Sequence, residues 1–198
     1  QGGPMPALGF GTWRLEGAEC EQAVASALDR GYRHIDTAQA YENEDRVGRG
    51  MQSAGVDREE VLLTTKLWFD NYAPKQVHAS MQKSLSDLRT DYVDLLLIHW
   101  PDDSVPLENT LGAMGELKDA GNVTHIGVSN FPTDWLRKAA EVAPAPIFCN
   151  QVEYHPLLSQ KKLMDCCNEL GILLTAYSPL ARGKVFDEPV LQELGEKY

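Results

Sequence analysis

The chain has 198 residues, of which 43% are hydrophobic and 24% are charged, a composition typical of a soluble globular protein about one domain long. Lys and Arg total 18 against 29 Asp and Glu, so the formal charge is −11, and nucleic acid is an unfavourable partner because an acidic surface repels phosphate. No segment approaches the roughly 18 consecutive apolar residues of a membrane span, so no membrane partner is expected.

Residues 1–15 also lack the basic start and apolar run of a secretory signal. The four cysteines contain no C-x-x-C pair; they are Cys20, Cys149, Cys166 and Cys167. At this length a disulfide scaffold is unnecessary, which indicates reduced thiols in a cytoplasmic protein. The adjacent pair at 166–167 is expected to fill the core, and a monomer is the expected state.

Short apolar runs recur along the chain in the manner of buried parallel strands. A weak candidate near the start is followed by six clearer ones; in chain order they are 8–13, 34–38, 61–66, 93–99, 123–130, 147–154 and 172–179.

Helical periodicity fills the intervals between these runs. The apolar faces comprise Cys20, Ala23, Val24, Ala27 and Leu28, then Val77, Met81, Leu85 and Leu88, then Leu111, Met114 and Leu117, and finally Leu163, Cys166, Cys167 and Leu170. Ser159 is a candidate N-cap for the last of these helices. Gly31, Gly121 and Gly171 follow helices, where a left-handed residue commonly ends them.

Alternating strands and helices predict a parallel sheet, either open or closed. An open Rossmann sheet needs a glycine-rich turn after its first strand. The G-x-G at residues 48–50 follows no strand, and Ser53 occupies the third glycine position. Polar residues instead end successive runs, as expected where the strands of a (β/α)8 TIM barrel converge on one rim. We therefore predict a TIM barrel.

Four polar residues at this predicted rim suit carbonyl chemistry. Asp36, Lys66 and His99 end three adjacent strands, and Tyr41 follows the first of them. Alone, each has an ordinary structural explanation, such as a turn cap, a packed phenol, a solvated charge or a core histidine. Together they suit protonation of a carbonyl oxygen, because a nearby ammonium favours the phenolate and lowers the phenol pKa.

The sequence resembles the aldo-keto reductases over essentially its whole length. The matching motifs are H-I-D-T-A-x-x-Y-x-N-E, T-T-K-L-W, D-L-L-L-I-H-W-P, I-G-V-S-N-F, N-Q-V-E-Y-H-P and A-Y-S-P-L. The segment L-A-R-G-K at 180–184 is similar to the bacterial 2,5-diketo-D-gluconate reductase branch. The resemblance implies an NADPH-dependent reduction of aldehydes and ketones to alcohols.

The resemblance also implies roles for individual residues. Tyr41 would be the general acid, Lys66 and Asp36 its tuning pair, and His99 the group that orients the carbonyl. Residues expected to contact NADPH are Thr12, Trp13, Ser129, Asn130, Gln151, Tyr177, Ser178 and Leu180. Trp13 and Trp100 would wall the substrate pocket. No metal site is assigned.

Only seven strands are predicted, so we expect residues 1–198 to form a single incomplete barrel domain without the eighth strand and last helices. In the family this segment binds the 2′-phosphate of the cofactor, so the sequence leaves open the choice between NADPH and NADH. The physiological carbonyl compound is open as well. An alternative hypothesis is a non-catalytic cofactor-binding fragment or regulatory module on the same scaffold.

Overall fold

The computed structural model describes residues 5–198. Seven strands alternate with seven helices in this range. The strands are β1 Phe10–Gly11, β2 His34–Asp36, β3 Leu62–Leu67, β4 Val93–Ile98, β5 Val123–Ser129, β6 Ile147–Glu153 and β7 Leu173–Tyr177. The helices are α1 Gly17–Asp29, α2 Glu44–Ala54, α3 Pro74–Leu88, α4 Leu107–Asp119, α5 Thr133–Val142, α6 Lys161–Leu170 and α7 Pro189–Lys197. The predicted strand and helix order is confirmed.

The helices bury the faces that their periodicity predicts, as Cys20, Val24 and Leu28 of α1 show. The glycines expected to end helices at 31, 121 and 171 have φ of 93°, 80° and 68°, values that residues with a side chain rarely adopt. The predicted cap at Ser159 is wrong. Helix α6 begins one residue later, with Gln160 at the cap position and no side-chain cap. The Gln160 Nε2 donates to the Glu153 carbonyl at 2.9 Å.

The sheet is curled into an open barrel of the (β/α)8 type. Each strand pairs in parallel with the next in sequence, in the order β1 to β7. A hydrogen bond of 2.6 Å nevertheless joins Gln151 of β6 to Asp36 of β2, four strands away. In a flat sheet that separation would be roughly 19 Å, so the strands must curve around a common axis.

Two hydrophobic layers hold this barrel together. Alternate residues of β4 point to opposite faces, so Leu96 and Ile98 join the large core under the helices, whereas Leu95 and Leu97 pack against Cys149 in a smaller cluster on the other face of the sheet. Cys166 and Cys167 belong to the large core. The prediction that this pair fills the core is therefore confirmed.

The barrel is open between β1 and β7. Among residues 5–198 these two strands are not paired with each other, and β7 has a neighbour only on its β6 side. Its side chains are consequently half-exposed, and Leu173 keeps 48% of its surface in solvent. Within the same range, none of the helices is both long enough and apolar enough for a membrane crossing.

Candidate active site

The four polar residues predicted to act on a carbonyl converge at the carboxyl ends of β2, β3 and β4. Asp36 is the last residue of β2, Lys66 lies one residue before the end of β3, and His99 directly follows β4. Tyr41 lies on a short 3-10 turn, Gln39–Tyr41, after β2. The structure therefore brings all four together at the rim.

Lys66 is the centre of this group, and only 1% of it is exposed. Its ammonium donates to the Asp36 carboxylate, to the Thr37 carbonyl at 2.8 Å and to Tyr41 Oη at 3.4 Å. Burial pulls the Lys66 pKa down, but attraction to Asp36 and to the Tyr41 oxygen outweighs burial and leaves the pKa raised. The ammonium therefore stays charged inside the protein.

The phenol of Tyr41 has a raised pKa, because burial disfavours the phenolate more than Lys66 favours it. The sequence argument expected the ammonium to bring the pKa below its ordinary value, and that expectation is wrong. Lys66 does act in the expected direction. Its charge and hydrogen bond limit a rise that burial alone would make larger.

His99 is a neutral imidazole at neutral pH. Burial, aided by the charge of Lys66, lowers its pKa to about 4. Its Nδ1 is buried and has no hydrogen-bond partner among the described residues, while the residue itself lines the cavity. A buried unpaired donor is costlier than a buried lone pair, which favours the tautomer with its proton on Nε2. The rings of Tyr41 and Trp68 fix the imidazole by edge contacts, with centroids 5.7 and 5.2 Å away.

A cavity of about 1270 Å³ opens above this group. Tyr41, His99, Trp13 and Trp100 all contribute to its wall. The two indoles keep 46% and 41% of their surfaces exposed, so apolar rings border a polar floor. Such a cavity is large enough for a small ligand and is the usual form of a binding site.

Three predicted cofactor residues form a hydrogen-bonded unit beside the acid–base group. Ser129 Oγ donates to the Gln151 carbonyl at 2.8 Å, and Asn130 Nδ2 donates to the His99 carbonyl at 3.0 Å. Gln151 Nε2 donates to Asp36 Oδ2 at 2.6 Å. This bond uses one of the two Nε2 N–H donors of Gln151 and fixes the orientation of its amide.

The remaining predicted cofactor residues divide between the cavity wall and solvent. Tyr177 and Ser178 lie on the wall, and Tyr177 Oη donates to Asn130 Oδ1 at 2.9 Å. Thr12 is also on the wall, but its hydroxyl donates to the Asp36 carbonyl at 3.3 Å. Leu180 does not line the cavity, and 52% of it is exposed.

The backbone at the ends of β5 and β7 is strained. Asn130 and Ser178 have φ of 62° and 49°, in the left-handed region that residues other than glycine rarely adopt. Residues held in such conformations cluster at ligand sites. Asn130, Ser178 and Tyr177 all line the cavity, so this backbone strain lies at its wall.

Sequence reasoning missed the polar residues that form hydrogen bonds with the elements carrying Tyr41 and Lys66. Glu44 accepts hydrogen bonds from Thr65 and Ser84, and Gln39 bonds to Ser84 as well. The backbone N–H of Trp68 in turn donates to Gln39. The available signal was Glu44 itself, an acidic residue within the motif that carries Tyr41, to which the sequence argument gave no role.

Two curated proteins illustrate how similar the chain is to known reductases. It is 40% identical to methylglyoxal reductase DkgB of Yersinia pestis, with 98% of this chain and 74% of that protein aligned. It is 42% identical to glyoxal reductase of Bacillus subtilis, with 98% and 70% aligned. The chain thus spans about 70% to 74% of the length of these relatives.

Solved structures agree with this similarity. A protein provisionally named 2,5-diketo-D-gluconic acid reductase B superposes with a TM-score of 0.95 at 50% identity, over 98% of this chain and 69% of that one. A Bombyx mori aldo-keto reductase in complex with NADP superposes with a TM-score of 0.83 at 38% identity, over 88% and 62%. Residues 7–193 match the model of the aldo/keto reductase family, and the chain therefore belongs to that family of oxidoreductases.

Proposed function

We propose that this protein reduces small aldehydes and ketones to alcohols with NADPH as the hydride donor and Tyr41 as the proton donor. The observation that carries the proposal is the contact of a buried, charged Lys66 with both Asp36 and the Tyr41 hydroxyl at the floor of a cavity. The relatives named methylglyoxal reductase and glyoxal reductase support small carbonyl compounds as the substrate class.

The reaction adds two electrons and two hydrogens to the carbonyl group. NADPH, when bound, supplies a hydride to the carbonyl carbon. The electron pair of the carbonyl π bond then moves to oxygen, which takes its proton from Tyr41. The phenolate left behind is stabilised by the Lys66 ammonium at 3.4 Å, and Asp36 keeps that ammonium charged. His99 donates a hydrogen bond from Nε2 to the carbonyl oxygen and so fixes its position.

Residues of β5, β6 and β7 would hold the nicotinamide. In this assignment Gln151 Oε1 would accept from the carboxamide, and Ser129 and Asn130 would complete its hydrogen bonds. The Tyr177 ring would stack on the nicotinamide and fix which face delivers hydride. Thr12 and Trp13 would border the cofactor, and Ser178 and Leu180 would lie along its pyrophosphate. Trp13 and Trp100 enclose the substrate.

The experiment that tests the proposal is Tyr41→Phe. We expect turnover of methylglyoxal to fall by roughly 10² to 10⁴, because a phenyl ring has no proton to give. NADPH consumption measured at 340 nm gives the rate. The dissociation constant of NADPH, measured by quenching of tryptophan fluorescence, should change little because Tyr41 meets the carbonyl and not the nucleotide.

Tyr92→Phe is the matched control, since Tyr92 lies at the opposite end of the barrel, directly before β4. Equal turnover in the two variants would contradict the role of Tyr41. NADPH binding without consumption of NADPH by the unmodified chain would instead favour a cofactor-binding module.

A further inference from the structure

Glu44 is a buried carboxylate that lies close to the site but has no role in the proposed reaction. It is the first residue of α2, three positions after Tyr41, and 6% of it is exposed. No ion pair neutralises it among residues 5–198. A buried charge without a counterion is costly unless hydrogen bonds stabilise it, so its partners need an explanation.

Both carboxylate oxygens of Glu44 accept hydrogen bonds from hydroxyls of other elements. Thr65 Oγ1 of β3 donates to Oε1 at 2.6 Å, and Ser84 Oγ of α3 donates to Oε2 at 3.0 Å. Both hydroxyl residues are at most 1% exposed. The start of α2 is therefore fixed to a strand and to a helix at once.

The same hydrogen bonds continue to the turn that carries Tyr41. Ser84 Oγ accepts from Gln39 Nε2 at 3.2 Å, and Gln39 begins the turn that ends at Tyr41. Gln39 Oε1 accepts from Asn71 at 2.9 Å. Hydrogen bonds at Gln39, before Tyr41 in the sequence, and at Glu44, after it, therefore fix the turn that carries Tyr41.

A glycine one turn further along α2 permits this contact. A Cβ at Gly48 would lie 2.5 Å from the Asp87 carbonyl of α3, a distance that only a glycine allows. The two helices can therefore approach closely enough for Glu44 to reach Ser84, one turn before Asp87.

The position of Thr65 gives these bonds their functional meaning. Thr65 and Lys66 are neighbours on β3, so their side chains point to opposite faces of the sheet. Glu44 holds the strand through Thr65 on the outer face, while Lys66 meets Tyr41 on the inner face. A shift of the Tyr41 turn relative to β3 would change the inner contact directly.

We propose that Glu44 is a positioning residue whose bond to Thr65 sets the distance between Tyr41 Oη and Lys66 Nζ. This inference rests on the proposed function, because that distance matters for proton donation. It extends the site to a carboxylate outside the cavity, which touches neither substrate nor cofactor.

Charged and titratable groups surround both the Tyr41 phenol and the Glu44 carboxylate. Tyr41 faces Lys66, Asp36, His99 and Tyr177. Glu44 faces Asp87 and Lys83 of α3, and burial raises its own pKa. Of the groups around Tyr41, only Lys66 both opposes the rise in the phenol pKa and donates to the phenol oxygen, so the phenol pKa reports the Tyr41–Lys66 contact.

The experiment compares Glu44→Met and Glu44→Gln with Asp94→Leu and Asp94→Asn in the full chain. Asp94 is a matched control, because its carboxylate also fixes β3, accepting from the Leu63 N–H at 2.9 Å and from Arg58 at 2.7 Å. It lies five residues before His99, roughly 16 Å along the strand from the rim.

Two measurements are made on each variant. The first is the kinetics of methylglyoxal reduction, with kcat and the KM of NADPH determined separately. The second is the titration of the Tyr41 phenol by NMR, with tyrosine labelled with ¹³C at Cζ and the signal assigned from Tyr41→Phe. The titration needs no turnover and therefore tests the inference even if the chain reduces no aldehyde, an outcome that would count against the proposed function alone.

We expect Glu44→Met to lower kcat about tenfold or more, with the KM of NADPH unchanged within about twofold. The phenol pKa should rise by roughly half a unit or more, because the ammonium no longer lies at its fixed distance. Glu44→Gln should recover most of both losses, since its amide oxygen can still accept from Thr65. The Asp94 variants should leave the phenol titration unchanged.

Equal phenol titrations in Glu44→Met and Asp94→Leu would overturn the inference and leave Glu44 as a structural residue. If Glu44→Met does not fold, Thr65→Val takes its place, because it removes only the hydroxyl that meets Glu44 and keeps the size of the side chain. An unchanged phenol titration in folded Thr65→Val would likewise overturn the inference.

Discussion

Strands β3 and β7 have the same place in the repeating pattern but different surroundings. β3 has a neighbour on each side, and five of its six residues are buried. β7 is bordered by β6 alone among the described residues, and none of its residues is fully buried. The strand that carries the acid–base lysine is thus enclosed, whereas the strand that carries the ring proposed to stack on the cofactor lies at an edge.

The two strands also serve different parts of the proposed reaction. A charged lysine next to a phenol needs a dry, fixed surrounding, because Coulomb attraction weakens in water. Tyr177 of β7 is proposed to contact the cofactor and lies outside the acid–base group of β2 to β4. Substitutions in the enclosed part should therefore change catalysis and stability together, and substitutions at the edge should change mainly cofactor affinity.

Lys66→Met gives the largest expected effect in the enclosed part. Its removal leaves the Asp36 carboxylate without its cation and Tyr41 without the charge that limits the rise in its pKa. We expect turnover to fall by roughly 10² to 10⁴ and the free energy of unfolding to fall by about 3 to 5 kcal/mol. Steady-state kinetics and urea unfolding measure the two effects. Lys83→Met, at an exposed helix position, is the control, and a similar loss in both variants would contradict the role of Lys66.

The fold itself could be predicted from sequence, because each buried strand is a short apolar run and each helix has an apolar face. The four acid–base residues could be found as well, since three of them lie at the ends of consecutive strands and Tyr41 follows the first of these strands. The bond between Gln151 and Asp36 could not, because it depends on the curl of the whole sheet and joins residues 115 positions apart. Glu44 was missed for a related reason: an acidic residue at a helix start is usually exposed, and only packing shows that it is buried.

The sign of the Tyr41 pKa shift was missed because sequence supplies charges but not burial. Sequence places a lysine near a phenol and so predicts a lower pKa. The opposing effect of burial depends on the atoms around the ring, which belong to several strands and loops. Local chemistry was therefore predictable, and the balance between desolvation and charge was not.

His99 gives the next largest effect, on stability as a function of pH. Its pKa is about 4 in the folded chain, against roughly 6.5 in an unfolded chain. The unfolded chain therefore binds the proton first, and the stability that neutral His99 contributes above pH 6.5 is lost as the pH falls from 6.5 through 4. We expect the difference in unfolding free energy between the unmodified chain and His99→Phe to change by on the order of 3 kcal/mol across this range. Urea unfolding at several pH values measures it, and a difference independent of pH would contradict the burial of a neutral His99.

Tyr177→Phe gives the smallest effect and tests the edge. The variant keeps the ring proposed to stack on the nicotinamide but loses the hydroxyl that donates to Asn130 Oδ1 at 2.9 Å. One such bond contributes about 1 kcal/mol, so the dissociation constant of NADPH should rise about fivefold through a less ordered Asn130. Turnover at saturating NADPH should stay within about twofold, because the acid–base group lies on β2 to β4. Fluorescence titration with NADPH measures the affinity, with Tyr198→Phe, at a 91% exposed terminal position, as the control. A loss of turnover at saturating cofactor would show instead that the edge and the enclosed part act as one unit, joined through the Asn130 bond to the His99 carbonyl.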